Sequence, residues 1–243
     1  MRLISWNIRA GGGVRATRIA DEIIAMQPDV VALSEFRGTD PSLLIADLLA
    51  EAGLTYQRST IDPKSPVVNS LLVASRWPLR VVRLKSAPDN KHRWLHVNVA
   101  SPTPLAVMAI HIPNRATGLK YPFIDSVTRV LKDWRGPRAV LMGDTNSGQI
   151  KIDEESPAFN KIEDQWLSTL KQMNWQDAFR LLHKDKREFT WYSPNGRNGF
   201  RLDQMFLHQS VAKGVRNFEH RWMGATEERR EVLSDHAAMV IDF

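Results

Sequence analysis

The stretch Ala139-Val140-Leu141-Met142-Gly143-Asp144-Thr145-Asn146 decides the fold that we expect for this chain. Its four apolar residues are typical of a buried strand, and Gly143 lets the backbone turn sharply where that strand ends. Asp144 and Asn146 alternate along the chain, so their side chains can point to the same side. A carboxylate beside a neutral amide suits the activation of a water molecule near a phosphate. An Asx-rich turn that caps a strand is the alternative interpretation.

Other apolar runs also border polar side chains that suit a metal ion or a phosphate: Asn7 after 3–6, Glu35 after 30–34, His111 after 106–110, and Asp235 with His236 before 237–241. In α/β proteins, functional residues gather on the loops at strand ends. We therefore expect a sheet whose strand ends converge on one polar site.

Periodic apolar residues predict helices near 16–26, 44–53, 123–134 and 162–173. Strand-like runs lie at 2–7, 30–35, 69–75, 95–100, 105–111, 138–143, 188–192, 202–208 and 237–243. The fourth and fifth runs are joined by a turn with two prolines, which indicates an antiparallel hairpin. The first strand–helix–strand unit is typical of a crossover between parallel strands. We expect mixed sheets with outer helices in a single domain, residues 1–243.

The composition favours a globular protein with an anionic partner. Hydrophobic residues make up 43% of the chain, and its net charge is +6 with a pI of about 9.7. Nucleic acid is the first candidate partner, followed by phospholipid or a phosphorylated small molecule. The alternative is that the charge serves solubility alone.

The chain has no cysteine, which excludes disulfides. No apolar stretch reaches the roughly 18 residues expected of a membrane-spanning helix. The N-terminal residues show no signal-peptide pattern. We expect a cytoplasmic protein, and we expect it to be a monomer.

Glu35 follows an apolar run and therefore needs a partner for its charge. A divalent cation is one such partner, and Arg37 in the following loop is the other. Asn7 could position Glu35 or contact the hydration shell of the metal. Arg9, with the glycines at 11–13, could let a phosphate backbone approach closely.

Two histidines are candidate phosphate contacts. His236 follows Asp235, and a carboxylate partner such as Asp203 would raise its pKa and keep it oriented. A surface histidine after a capped turn is the alternative. His111 could protonate a leaving oxygen, and Asn114 could donate to a phosphate. The alternative for His111 is a core histidine with satisfied hydrogen bonds.

Trp191 and Phe200 could form a stacking wall for a base or an extruded sugar. Most tryptophans and phenylalanines in proteins belong to the core, and that is the alternative interpretation for this pair.

The order of these residues along the chain resembles the motif pattern of the endonuclease/exonuclease/phosphatase superfamily. The matching positions are Trp6-Asn7, Glu35, His111, Gly143-Asp144-Thr145-Asn146, Arg201-Leu202-Asp203 and Ser234-Asp235-His236. The segments 175–180, 189–191 and 111–114 are similar to the exonuclease III and apurinic/apyrimidinic endonuclease branch.

That resemblance implies an α/β (α+β) fold, a four-layer α/β/β/α sandwich of two packed mixed sheets with outer helices. It also implies a Mg²⁺ or Mn²⁺ ion held by Glu35, Asn7 and Asp235. Asp144 would orient or deprotonate the attacking water, and Asn146 would fix both Asp144 and the phosphate. His236, steadied by Asp203, would contact the scissile phosphate.

The chain departs from the branch at two positions. Apurinic/apyrimidinic endonucleases usually place Tyr where this chain has His111, whereas deoxyribonuclease I-like and phosphatase branches use His. The repair enzymes commonly carry Asp where this chain has Arg9.

Three hypotheses follow. The first is a divalent-metal-dependent phosphodiesterase that hydrolyses DNA, a nuclease with an abasic-site or 3′-end repair role. The second is a phosphatase or phosphodiesterase for a small phosphorylated molecule or a lipid headgroup. The third is a nucleic-acid-binding scaffold with a catalytically inactive site. The chain keeps every candidate catalytic and metal-binding residue of the resemblance, which argues against this third hypothesis: Glu35, Asp144, Asn146, Asp203 and His236.

Overall fold

The computed structural model describes residues 1–136, 138–195, 197–226 and 232–243. Its helices are α1 (Ala16–Ala25), α2 (Asp40–Glu51), α3 (Lys120–Lys132), α4 (Lys161–Gln172), α5 (Ala178–His183) and α6 (Gln209–Ala212). Its strands are β1 (Arg2–Asn7), β2 (Val30–Phe36), β3 (Tyr56–Ser59), β4 (Ser70–Ser75), β5 (Leu79–Val81), β6 (Trp94–Val99), β7 (Leu105–His111), β8 (Ala139–Asp144), β9 (Trp175–Asp177), β10 (Trp191–Tyr192), β11 (Gly199–Phe200), β12 (Asp203–His208), β13 (Asn217–Arg221) and β14 (Ala238–Asp242).

Two mixed sheets, of six strands each, form the centre of the described structure. The first has the order β13-β14-β1-β2-β4-β3, and the second has the order β5-β6-β7-β8-β12-β9. Each has one parallel pair at its centre, β1 with β2 and β7 with β8, and antiparallel neighbours on both sides. Helices α1 and α3 connect the strands of these two pairs, as a parallel connection requires.

Three apolar clusters define the layers. Alternate residues of both sheets, such as Val73 and Val107, form one cluster between the sheets. A second cluster packs α1 and α2 onto the outer face of the first sheet through residues such as Ile19 and Ile45. A third packs α3 and α4 onto the outer face of the second sheet, with Val127 among its members. The expected four-layer α/β/β/α sandwich is therefore confirmed.

The hairpin and the crossover expected from the sequence are both present. Strands β6 and β7 pair antiparallel from Trp94 opposite Ile110 to Val99 opposite Leu105. Strands β1 and β2 pair in parallel. Strands β3, β5, β9 and β13 lie at the outer edges of the sheets and were not expected from the sequence.

No helix in the described ranges combines the length and the apolar character needed to cross a bilayer.

Candidate active site

The candidate residues meet because strand direction places them at one edge of the two sheets. Asn7 and His111 end the first strands of the two parallel pairs. Asp144 lies opposite His111 at the end of β8, and Asp203 lies opposite Asp144 at the start of antiparallel β12. His236 precedes β14, which runs antiparallel to β1. Such an edge is where α/β sheets carry their ligands.

Glu35 reaches the site through a β-bulge. The pairing of β2 with β4 shifts between Ser34 and Phe36, and Glu35 adopts a left-handed backbone with φ of 57°. A bulge re-aims a side chain, and this conformation is uncommon for a residue other than glycine. Its Oε2 accepts from Ala10 N at 2.7 Å, and its Oε1 accepts from Asn7 Nδ2 at 3.4 Å.

The expected alternative partner, Arg37, is engaged elsewhere. Its Nε donates to Asn69 Oδ1 at 2.7 Å. The Glu35 carboxylate therefore turns toward Asn7 and the backbone amide of Ala10.

Asp144 lies in the middle of the cluster and is buried. Its Oδ2 accepts from Asn7 Nδ2 at 3.2 Å, and its Oδ1 accepts from Asn146 N at 2.9 Å. The second bond is an Asx turn, so the alternative interpretation of this stretch is present as part of the site. Burial raises the pKa of Asp144 to about 7, although the neighbouring His236 acts in the opposite direction.

Gly143 is needed for a different reason from the one expected. It lies inside β8, opposite Ile110 and Gln204, and does not form a turn after the strand. A Cβ added there would lie 1.9 Å from the Ile110 carbonyl oxygen. Only glycine allows β7 and β8 to approach this closely beside Asp144.

His236 and Asp203 form a buried pair. His236 Nδ1 lies 2.8 Å from Asp203 Oδ2, and its Nε2 lies 4.0 Å from Asp144 Oδ2. Burial disfavours the charged imidazolium, but the carboxylates of Asp203, Asp144 and Asp235 outweigh it and raise the pKa of His236 to about 10. At neutral pH, His236 is a cation that directs Nε2 toward Asp144. The surface-histidine alternative is wrong.

His111 is also buried, but it is neutral. Its Nε2 lies 3.6 Å from Asp144 Oδ2, and its Nδ1 has no hydrogen-bond partner among the described residues. Burial, together with the positive charges of Arg93 and His236, lowers the pKa of His111 well below its ordinary value. It is therefore not a core histidine with satisfied hydrogen bonds.

Asp235, Arg9 and Trp191 border the cluster on its exposed side. Trp191 Nε1 donates to Asp235 Oδ2 at 3.4 Å, and the Trp191 ring lies 6.3 Å from the His236 ring. Arg9 Nε lies 3.9 Å from Asp235 Oδ1. Phe200 is paired with Trp191 across β10 and β11, with the ring centroids 5.8 Å apart.

Asn114 differs from the other candidates because it is exposed at the rim. It follows Pro113 and precedes a short 3₁₀ helix at Arg115–Thr117. Its side chain has no hydrogen-bond partner among the described residues, so it is free to contact a ligand.

The chemistry of the donors fits a hard divalent cation. Asn7 Nδ2 lies 3.4 Å from Glu35 Oε1 and 3.2 Å from Asp144 Oδ2, and magnesium and manganese prefer such carboxylate oxygens as ligands. The raised pKa of Asp144 shows that positive charge would be favourable beside it. Asn7 presents Nδ2 to Glu35 and Asp144 while its Oδ1 accepts from Arg9 N, so in this conformation it orients the carboxylates.

A second arrangement of ligand atoms is also present. One atom each from Asp144, Asp203 and His236 lies within 4.8 Å of the others. In that group, Asp203 and His236 already contact each other at 2.8 Å. A metal there would have to replace this contact.

Sequence reasoning missed two cationic neighbours of the cluster. Arg93 Nη1 donates to the His111 carbonyl at 3.3 Å, and the negative charges of Asp144 and Glu35 act on its guanidinium. Lys120 donates from Nζ to the backbone carbonyl of Asn146. A lysine at the start of a helix and an arginine before a strand are too common in sequences to be recognised without the fold.

A family comparison covers nearly the whole chain. The model of the Endonuclease/Exonuclease/phosphatase family matches residues 4–236. No curated protein sequence gives a significant match.

Solved structures give the same architecture. A 3′-5′ exonuclease (NExo) from Neisseria meningitidis is similar with a TM-score of 0.78 and 19% identity. The 3′ phosphatase NExo from Neisseria bound to a product DNA hairpin has a TM-score of 0.80 and 21% sequence identity. An AP endonuclease from Archaeoglobus fulgidus has a TM-score of 0.82 and 17% sequence identity. Each comparison covers 100% of this chain and 99% of the other. At these identities the likeness concerns the fold.

Proposed function

Because the chain belongs to the endonuclease/exonuclease/phosphatase family, we propose that it is a divalent-metal-dependent phosphodiesterase that hydrolyses DNA, with a role in abasic-site or 3′-end repair. The single observation that carries the proposal is the buried cluster around Asp144. That carboxylate, with its raised pKa, lies between the imidazolium of His236 and the neutral imidazole of His111. The catalytic domain is the whole chain, residues 1–243.

Glu35 and Asp235 would hold Mg²⁺ or Mn²⁺, with Asn7 orienting the Glu35 carboxylate. When bound, such a cation neutralises charge on a phosphoryl oxygen and on the leaving 3′ oxygen. Glu35 is ready for this role because Ala10 N and Asn7 Nδ2 already fix both of its oxygens.

Asp144 would orient and deprotonate the attacking water. A general base is most effective when its pKa lies near the working pH, and the pKa of about 7 supports this role. The backbone amide of Asn146 holds Oδ1, which leaves Oδ2 facing the two histidines. Asn146 Nδ2 donates one hydrogen to the Ile112 carbonyl at 2.8 Å and has a second hydrogen for a phosphoryl oxygen.

His236 would donate from Nε2 to a non-bridging oxygen of the scissile phosphate. Asp203 fixes its ring and keeps it protonated, so its charge offsets the charge that develops in the transition state. His111 carries no charge at neutral pH and would act on the phosphate as a hydrogen-bond donor.

Charge and exposed side chains support DNA as the substrate. The net charge is +6, and Arg9 and Asn114 are exposed beside the site, where they can contact a phosphate backbone. Trp191 would offer a stacking surface next to His236. Two of the similar structures carry nuclease names, and a third contains a DNA hairpin.

The test measures cleavage of linear, nicked and abasic duplex DNA in Mg²⁺, Mn²⁺ or chelator. We expect cation-dependent cleavage that Asp144→Ala abolishes, and DNA affinity that falls steeply as salt rises. Generic phosphodiester and phosphomonoester substrates are assayed in parallel, with the same variant as control.

One observation favours the second candidate, a phosphatase or phosphodiesterase for a small phosphorylated molecule or lipid headgroup. His111 occupies the position beside Asp144 where the repair endonucleases that the chain resembles usually carry Tyr. Rapid turnover of small esters, with no DNA cleavage under any cation, would replace the leading proposal with this one.

A further inference from the structure

A buried ion pair lies directly behind the candidate active site. Lys120 is 2% exposed and Glu163 is 0% exposed, and Lys120 Nζ donates to Glu163 Oε1. The other carboxylate oxygen of Glu163 accepts from Asn160 N at 3.0 Å and from Arg115 Nη2 at 3.1 Å. The Glu163 carboxylate is therefore fully engaged by protein donors.

Fold stability does not explain the lysine. Lys120 is the first residue of α3, where the helix dipole disfavours a positive charge. Burial also disfavours the charged ammonium and lowers the pKa of Lys120, although the contact with Glu163 acts in the opposite direction. Replacing a buried ion pair by apolar residues is often neutral or stabilising. The pair therefore calls for another explanation.

The second bond of Lys120 supplies that explanation. Its Nζ also donates to the backbone carbonyl of Asn146. Asn146 has a left-handed backbone with φ of 46°, a conformation that asparagine adopts more readily than most residues with a Cβ but less readily than the right-handed one. Its amide donates to Asp144 Oδ1 at 2.9 Å, and its side-chain Nδ2 donates to the Ile112 carbonyl at 2.8 Å. Residue 146 is thus held by its carbonyl, its amide and its side chain.

We propose that Lys120, fixed by Glu163, is a positioning residue that locks Asn146 in its left-handed conformation and thereby fixes the orientation of the Asp144 carboxylate. Lys120 does not touch the reacting atoms, because both of its contacts are internal to the protein. The geometry does not depend on the substrate, and only the kinetic readout rests on the function proposed above.

The kinetic test is a double-mutant cycle. We expect Lys120→Met to lower kcat by about 10- to 100-fold, with little change in KM, because a small misplacement of catalytic groups is costly. In an Asn146→Ala background, Lys120→Met should lower kcat by less than about threefold, since coupled residues are not additive. The proposal would be overturned if Lys120→Met lowered kcat by the same factor in the wild-type and Asn146→Ala proteins, or if Lys120→Met kept the wild-type kcat.

The matched control is Val127→Ala. Val127 lies in the same helix α3 and packs in the apolar cluster between that helix and the second sheet. It should lower the melting temperature and leave kcat unchanged. Glu163→Gln is the second Lys120-directed variant, because it keeps the side-chain shape and removes the charge that fixes the ammonium. It should lower kcat in the same direction as Lys120→Met, and an unchanged kcat would count against the proposal.

A structural readout separates this inference from the proposed function. A crystal structure of Lys120→Met should show Asn146 out of the left-handed region and Asp144 Oδ1 without its amide donor. If Asn146 keeps its φ near 46°, the inference is wrong even when the wild-type protein cleaves DNA. If the wild type cleaves no ester but Asn146 moves in the variant, the positioning role stands and the proposed function fails.

Discussion

The Asp144 carboxylate lies at a buried position where a neutral side chain would make the folded protein more stable. Its pKa is raised to about 7 from an ordinary value of 3.8, mainly because it is buried. The folded protein therefore loses stability as the pH rises from 3.8 to about 7, and the loss is complete above that range, where Asp144 is ionised in the folded state too. Function and stability therefore make opposite demands on this one side chain.

We expect Asp144→Asn to lower kcat by roughly 10²- to 10⁴-fold, the usual contribution of a general base. The same change should raise the free energy of unfolding at pH 8 by about 1–2 kcal/mol, because it removes a buried charge. Steady-state kinetics and urea denaturation measure the two effects. A variant that is both inactive and destabilised would show that the carboxylate supports the fold.

The pH dependence of kcat/KM should have two limbs. The rate should rise as the pH increases through about 7, because Asp144 must lose its proton to act as a base. It should fall as the pH passes about 10, because His236 then loses the proton that it presents to the phosphate. Saturating Mg²⁺ should move the first limb to lower pH, since positive charge favours the carboxylate. A first limb that persists in Asp144→Asn would assign it to another group.

Asp203→Asn should lower the pKa of His236 by about 1 to 3 units, because the carboxylate at 2.8 Å is the main group that raises it. Titration of the histidine ring protons by NMR measures this shift. Glu188→Gln is the control, since Glu188 Oε1 lies 2.9 Å from His220 Nδ1 and belongs to another pair. The control should leave His236 unchanged.

The candidate residues that follow apolar runs were accessible from sequence alone. Asn7, His111 and Asp144 each end a strand, so their convergence follows from strand direction. Lys120 and Arg93 were not accessible, because their roles depend on which backbone carbonyl each one meets. Those contacts join residues that are far apart in the sequence.

At the scale of the element, β8 depends on Gly143. We expect Gly143→Ala to lower the free energy of unfolding by roughly 3 kcal/mol or more, since the new Cβ would lie 1.9 Å from the Ile110 carbonyl oxygen. Gly13→Ala is the control, because Gly13 also has a positive φ but has no atom within 4 Å of an added Cβ. The control should lower the free energy of unfolding by only about 1 kcal/mol, the cost of a left-handed backbone at alanine. Equal losses in a denaturant titration would rule out the clash.

The elements that sequence reasoning found are those with a strong apolar pattern. Strands β1, β2, β7 and β8 are buried on both faces, and their apolar runs are visible. Strand β3 has the sequence Tyr56-Gln57-Arg58-Ser59 and is largely exposed at a sheet edge. Such a segment becomes a strand because β4 offers it hydrogen bonds, and its own composition gives no signal.

The segment 147–160 connects β8 to α4 without a helix or strand of its own. The structure anchors it through buried Asp153, which accepts from Arg201 Nε at 2.7 Å and also contacts Arg180. Arg201 in turn donates to Asp177 Oδ2 at 2.6 Å. A long polar segment of this kind gives no sequence signal for such an anchor, and only the tertiary contacts reveal it.

At the scale of the molecule, the two sheets pack against each other through an apolar core, and the site takes residues from both. Asn7 and Glu35 come from the first sheet, and His111 and Asp144 come from the second. We expect loss of activity and loss of tryptophan fluorescence in urea to share one midpoint, because separation of the sheets ends both. Loss of activity at clearly lower urea would show that the site loops unfold before the sandwich.

Each sheet has one parallel pair of strands at its centre, β1 with β2 and β7 with β8, so the two sheets form two halves of similar topology. In both halves, the first strand of the pair ends in a polar side chain, and the second strand brings a carboxylate beside it: Asn7 with Glu35, and His111 with Asp144. In the function proposed above, the same scaffold position would hold a cation in one half and activate water in the other. Because Asn7 Nδ2 contacts both carboxylates, the candidate site depends on both halves, and neither half would carry it alone.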